Sequence, residues 1–227
     1  MPTYNERVNI HPLVAAVAAA AVPNLYLLFV DDSSPDGTGD EIQEVASGQP
    51  WVHILVRKSK MGIGGAYRDG FTLAVTSLSP EVVVEMDADL QHPPKVLGAL
   101  VDAVVAGADV AVASRYIEGG GVSGWSRPRR LVSRVANSYA RTLLRLPVRD
   151  CTSGFRAFNR KAVAQLLASD LPSAGFEFQV GALRVLKTGM KIAEVPYTFV
   201  PRAAGESKLG WADALKFAVR VFRMALR

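Results

Sequence analysis

Four short apolar runs punctuate the first half of the chain, at residues 25–30, 52–57, 82–86 and 110–113. Each follows a stretch with helical character, at residues 10–22, 40–46, 67–76 and 94–106. Runs of that length, rich in β-branched residues, bury as strands rather than as helices. Strands alternating with helices form a mostly parallel sheet covered on both faces, an α/β architecture. In such sheets ligands lie beyond the carboxyl ends of the strands. Two turns occupy that position, "VDDSSPDGTG" from Val30 and "MDADLQHPP" from Met86, so the two are expected to share a site.

The second turn poses an electrostatic problem. Asp87 and Asp89 follow an apolar strand with one residue between them. On an extended strand, residues i and i+2 point to the same face about 7 Å apart. Two unpaired carboxylates so placed repel, and one is expected to keep its proton above the usual range. A cation between them removes the conflict. The plain alternative is that Asp89 or Gln91 only caps the helix opening at Pro94, which has proline in its first turn.

The chain has 227 residues, 49% of them hydrophobic, which supports one domain with a substantial core. A single cysteine, Cys151, excludes an intrachain disulfide and a cysteine metal cluster. With no histidine in its motif it is a poor nucleophile. The N-terminus shows no basic region followed by an apolar run, so no signal peptide is expected. Residues 11–30 come nearest to a membrane span, but Pro23-Asn24 breaks them and Asp31-Asp32 follow, as in a helix–turn–strand. Charge divides sharply: residues 1–114 carry a net −8 and residues 115–227 a net +13. An acidic half suits a metal or nucleotide site, and a basic half suits an anionic partner.

Beyond residue 114 the pattern loosens. Glycines at 119–121 and 124 read as a flexible loop, and "DCTSGFRAF" from Asp150 reads as another. Helices are expected at 129–146, 160–168, 177–188 and 211–227, with a strand at 191–195. "MPTYNER" reads as the exit from a strand, with no strand before it. Arg130, Arg134, Arg141 and Arg145 form a narrow helical stripe beside Leu131, Val135 and Tyr139. In the last helix Lys216, Arg220, Arg223 and Arg227 lie beside Leu215, Val219, Phe222 and Leu226. Basic stripes flanking apolar ones describe helices at an anionic membrane surface. No nucleic-acid recognition fold accompanies them, so nucleic acid is not an expected partner. His11 and His53 read as structural or surface residues, and His92 as a neighbour of the acidic turn rather than a ligand.

Seven motifs then occur in order: "PTYNE", "VDDSSPDGT", "KMGIGGA", "MDADLQHPP", "SRYIEGG", "TSGFRAF" and "GESKL". Over nearly its whole length the chain resembles the polyprenyl-phosphate mannosyltransferases, the dolichyl-phosphate type within glycosyltransferase family 2. It departs from them in two places: the family's first strand is missing before Pro2, and the C-terminal hydrophobic spans of some members are absent. "KMGIGGA" lacks the dinucleotide-binding spacing, so Gly62, Gly64 and Gly65 read as a tight turn under a nucleotide.

The resemblance implies a GT-A-type fold, a Rossmann-like sheet forming one domain. Residues 1–114 would handle nucleotide and metal; residues 115–227 would form the helical, membrane-facing acceptor half. It implies Mg²⁺ or Mn²⁺ on Asp87, Asp89 and Gln91. It implies nucleoside contacts from Pro2, Tyr4, Glu6, Val30 and Asp32, with Ala88 beside them. The acceptor phosphate falls to Arg115, Arg129, Ser133 and Arg202, which with Asp89 make the catalytic set, while Lys208 approaches the diphosphate or sugar. Arg130 competes with Arg129, and spacing does not separate them. The implied reaction carries mannose from GDP-mannose to a polyprenyl monophosphate with inversion. The implied location is peripheral, at the cytoplasmic membrane face, with a membrane-anchoring subunit as a candidate partner. Rival readings are the UDP-glucose counterpart and a non-catalytic nucleotide-sugar-binding partner disabled by the missing strand. A third, phosphoryl transfer through an aspartyl phosphate, is disfavoured because Gln91 stands where that chemistry wants Thr or Val.

Overall fold

The computed structural model describes residues 1–59, 62–171, 177–201 and 211–226, leaving aside the side chains of residues 211–214. Through residue 114 it follows the expected alternation. Strand β1 (Pro2–Thr3) leads to α1 (Ile10–Ala19), β2 (Leu27–Asp31), α2 (Thr38–Gly48), β3 (Val52–Val56) and α3 (Ile63–Leu73). A π-helical turn at Ala74–Leu78 follows, then β4 (Val82–Glu85), α4 (Leu97–Val105) and β5 (Val110–Ser114). The slot expected to lack its strand is filled by two residues, with Pro2 opposite Val30 and Thr3 opposite Asp31 in a parallel ladder. β2 pairs in parallel with β3 on its other side. The glycine motif does more than turn the chain. Gly62, at φ +87°, precedes the first turn of α3, so "IGGA" is already helical.

The remaining elements are β6 (Gly121–Val122), α5 (Arg127–Leu144), β7 (Arg156–Asn159), α6 (Arg160–Leu167), α7 (Glu177–Leu186), β8 (Ile192–Pro196), β9 (Thr198–Phe199) and α8 (Trp211–Ala225). α5 starts two residues earlier than expected. The Ser126 hydroxyl accepts from the Arg129 N–H at 3.5 Å, and Pro128 sits in the first turn.

The main correction is β7. Read as the end of a loop, it enters the sheet between β4 and β5 and runs antiparallel to both, while β5 pairs in parallel with β8. Its register sets Arg156 opposite Glu85, a base and an acid both fully buried. β6 and β9 form a small separate ladder, so the glycine-rich loop is partly ordered as sheet.

Apolar layers cover both faces of the sheet. Along β5, Ala111 and Ala113 join the layer built on Ile10, Phe29, Leu100 and Phe155, whereas Val110 and Val112 join that of Phe71, Phe158, Leu183 and Val221. This two-residue alternation between two cores is why the strand reads as continuously apolar.

Candidate active site

The strand ends converge on two clusters, one acidic and one basic. In the first, β2 ends in Asp31 and Asp32, whose roles differ. Asp31 is consumed by the turn: its carboxylate accepts from the Thr3 hydroxyl at 2.9 Å, the Ser34 hydroxyl at 2.6 Å and the Ser34 N–H at 2.9 Å. Asp32 pairs instead with buried Arg57 at 2.5 Å, and Arg57 also reaches Asp69 at 2.8 Å. Gly65 makes room for this arginine, because a Cβ there would meet its guanidinium at 2.7 Å. Spacing alone did not reveal Arg57 or Asp69. Glu6 accepts from Asn9 at 2.6 Å, and its N–H donates to Thr38 at 3.0 Å, which folds the "TYNE" turn over the start of α2. Pro2 and Tyr4 are half-buried at this edge. Val30 and Ala88 are buried, Val30 against Gly70, so they back the loops from within the core.

The acidic turn departs from strand geometry. β4 ends at Glu85, and Leu90 adopts a left-handed φ of 61°. The same-face spacing of an extended strand therefore does not apply to Asp87 and Asp89. The Asp87 side chain is 40% exposed, while Asp89 is buried and accepts from the Gln91 N–H at 3.1 Å. Gln91 is tied to residue 200 by its side-chain amide, which donates to the Val200 carbonyl at 3.3 Å. The Tyr67 hydroxyl approaches Asp87 at 3.5 Å, and a Cβ on Gly154 would lie 3.8 Å from the same carboxylate oxygen. Among the described residues, no three His, Cys, Asp or Glu side chains form a ready metal cage. By their chemistry, the two carboxylates and the carboxamide of this turn are the oxygen donors from which a partial shell would be drawn. A hard divalent cation completes such a shell with water and phosphate oxygens, so these residues fit Mg²⁺ or Mn²⁺.

His92 braces this turn. Its Nδ1 accepts from the Asp87 N–H at 3.1 Å, and its buried ring stacks on Phe155 with centroids 5.1 Å apart. Burial lowers its pKa to about 4, so the ring is neutral near pH 7 and the proximity of Asp87 is no ion pair. In the unfolded chain the ring titrates near the ordinary 6.5. Its contribution is therefore intact above pH 6.5 and lost as pH falls toward 4, by up to about 3 kcal/mol. Urea unfolding of the metal-free protein at pH 7 and pH 4.5 should show this loss, and His92→Asn should reduce it.

The basic cluster is built on Arg115 at the end of β5. Burial disfavours its charge, but Asp150 outweighs that penalty with bonds of 2.7 Å to both Nε and Nη2. The Thr152 hydroxyl adds a contact at 2.9 Å. The guanidinium carbons of Arg115 and Arg129 lie 5.7 and 4.4 Å from the Trp125 ring centroid, hence no more than about 10 Å apart. Arg130 instead donates through Nε to the Trp125 carbonyl at 3.0 Å and is exposed. Ser133 receives the Tyr116 hydroxyl at 2.7 Å. Asn137, beneath them, donates to the Ser133 carbonyl and Thr152 and accepts from the N–H groups of Cys151 and Thr152. Arg202 and Lys208 lie outside the described residues. Burial pushes the Cys151 thiol up to about 12, which leaves it inert.

One loop joins the clusters. Asp150 and Thr152 hold Arg115, and Gly154, two residues on, flanks Asp87. Behind it, Arg156 donates to the carbonyls of Cys151 at 3.0 Å and Gln179 at 2.7 Å. Burial raises the pKa of its partner Glu85, only partly opposed by the guanidinium. Five residues reach at most about 18 Å when extended, which bounds the distance between the end of the loop that holds Arg115 and the end that flanks Asp87.

On the outside, α5 and α8 pack together, with the Tyr139 hydroxyl donating to the Ala218 carbonyl at 3.1 Å. Tyr139 thus belongs to this joint rather than to the exposed stripe. Leu131 and Val135 on α5, Leu215, Val219 and Phe222 on α8, and Leu226 just past its end are exposed as expected. The basic stripe of α8 is partly spent internally, because Arg220 pairs with Glu177. Arg227 lies outside the described residues. Among the described residues, no helix is long and apolar enough to cross a membrane.

The fold, matched to solved glycosyltransferases, and the family match place the chain among glycosyltransferases of GT-A fold. The glycosyl transferase family 2 model matches residues 1–167, and the chain belongs to that family. It is 41% identical to polyprenol monophosphomannose synthase of Mycolicibacterium smegmatis, covering 100% of this chain and 86% of the relative. It is 39% identical to undecaprenyl-phosphate mannosyltransferase of Micrococcus luteus, covering 100% and 92%. Its fold matches, with a TM-score of 0.69 at 19% identity, a mannosyltransferase from Pyrobaculum calidifontis solved with GDP-Man and Mn²⁺; the match covers 100% of this chain and 62% of that one.

Proposed function

We propose that the protein transfers mannose from GDP-mannose to a polyprenyl monophosphate, giving the β-linked polyprenyl-phosphate mannose. The observation that carries the reading is the loop from Asp150 to Gly154, which ties the anion-binding Arg115 to the flank of Asp87. The names of the relatives supply the sugar and the class of acceptor.

In this reading Asp87, Asp89 and Gln91 hold Mg²⁺ or Mn²⁺, which neutralises charge on the departing diphosphate. Asp32, set by Arg57, and Glu6 accept from ribose hydroxyls or base N–H groups, at an edge formed with Pro2 and Tyr4. Arg115, Arg129, Ser133 and Arg202 receive the acceptor phosphate, and Lys208 stands by the diphosphate. The acceptor oxygen, already ionised near pH 7, attacks the anomeric carbon; the bond to the β-phosphate oxygen breaks and its electron pair leaves with GDP. No general base is required, so the chain's task is to position two anions against each other. The exposed faces of α5 and α8 rest on the cytoplasmic membrane surface, which makes the protein peripheral.

The test uses labelled GDP-mannose and UDP-glucose with a polyprenyl phosphate in detergent. Transfer is expected from GDP-mannose alone, lost with chelator and restored by Mg²⁺ or Mn²⁺. Preferential use of UDP-glucose, or full activity in chelator, overturns the assignment.

A further inference from the structure

A cavity of about 430 Å³ lies between the basic face of α5 and the loop that follows β5, apart from the acidic turn. Arg134, Ser138 and Arg141, on one face of α5, line it, with Arg149 also on its wall. Tyr116 and Arg115 form part of its wall. The acids nearby are already engaged. Asp150 is bound to Arg115, and Glu194 accepts from the N–H groups of Arg149 and Asp150 at 2.9 and 3.1 Å. Glu118, exposed on the loop after β5, does not line the cavity. Asn137 spends its amide on Ser133, Cys151 and Thr152, so it serves as wall. Among the described residues, the guanidinium groups of Arg134, Arg141 and Arg149 have no ion-pair partner. Three cations therefore surround one polar cavity with no carboxylate to balance them.

The chemistry that satisfies such a site is a phosphate, whose oxygens accept from forked guanidinium donors and a hydroxyl. The volume exceeds what a bare phosphate fills and lies in the range of small-ligand sites. On the helix, the exposed Leu131 and Val135 run beside the stripe of Arg134, Ser138 and Arg141, so a headgroup in the cavity would have its acyl chains over an apolar surface. We propose that this cavity is a second phosphate site, adjoining the acceptor subsite along Arg115 and Tyr116 but centred on Arg134, Arg141 and Arg149, that takes the phosphate headgroup of an anionic membrane phospholipid.

The experiment titrates the full chain with dihexanoyl phosphatidylglycerol below its micelle concentration, at fixed ionic strength. A triple variant, Arg134→Gln, Arg141→Gln and Arg149→Gln, is compared with a charge-matched control, Arg127→Gln, Arg145→Gln and Arg223→Gln. Saturable one-to-one binding is expected for the native chain and the control, with at least about tenfold weaker binding in the cavity triple. Equal losses in both triples would mean diffuse charge and overturn the site. Inorganic phosphate binding as tightly as the lipid would assign the cavity to a free phosphate, and so overturn the lipid assignment. In a detergent assay with polyprenyl phosphate, the cavity triple is expected to keep its kcat/KM for the acceptor. A tenfold fall there would merge the cavity with the acceptor site and overturn its independence. The binding arm contains no nucleotide sugar, so its outcome does not depend on the proposed reaction.

Discussion

On the proposed function, Asp89→Ala is expected to lower mannose transfer by at least about 10³-fold, because a carboxylate that would help hold the cation, and with it several kcal/mol of charge neutralisation on the leaving diphosphate, is removed. The variant that discriminates is Asp89→Asn. Its amide oxygen can still accept the Gln91 N–H, as the native carboxylate does at 3.1 Å, but it brings no negative charge. If Asp89 binds the cation, both variants lose activity and bind Mn²⁺ weakly. If Asp89 only shapes the turn, Asp89→Asn transfers mannose nearly as well as the native protein. Labelled-product extraction and Mn²⁺ titration by electron paramagnetic resonance read the two arms separately.

Asp150→Ala acts on stability first. Arg115 and Asp150 are both buried, and the carboxylate serves the arginine's Nε, Nη2 and N–H together. Removing one partner of a buried pair strands the other charge, at a cost of about 3–5 kcal/mol. At a few degrees per kcal/mol for a chain of this size, the melting temperature should fall by about 10 °C. The double variant Asp150→Ala with Arg115→Met should recover much of that loss, because the stranded charge is gone; on the proposed function it stays inactive, because the arginine proposed to receive the acceptor phosphate is gone too. Thermal unfolding of both variants checks the pair. An unchanged melting temperature for Asp150→Ala would show that Arg115 is held by something else.

Much of the architecture was readable because periodicity reports burial. β2, β3, β4 and β5 announce themselves as apolar runs, and the acids that follow β2 and β4 mark the ligand-binding edge. β7 was not readable, for a physical reason. It opens with Arg156, whose charge argues against a central strand until Glu85 is known to lie opposite. That compensation joins residues 71 positions apart, and neither local propensity nor spacing carries it. The same holds for Arg57, whose partners Asp32 and Asp69 come from the turn after β2 and from α3. Among the residues proposed for the acceptor, Arg115, Arg129 and Ser133 came from the resemblance and gather around Tyr116 of the same motif as Arg115 and around Trp125, which no motif contains. The stripe on α8 was legible as a pattern but not in its use, since Glu177 draws Arg220 inward.

The antiparallel insertion of β7 also governs how the molecule can assemble. β4 and β5 are not ladder neighbours; β4 pairs with β7, and β5 with β7 and β8, strands that arrive only after α5. A nascent chain that has emerged only as far as Ser114 carries both strands with amide and carbonyl groups still waiting for residues 156–159. The two halves are thus expected to fold together, and severing the chain between them would leave two adhesive edges rather than two working parts.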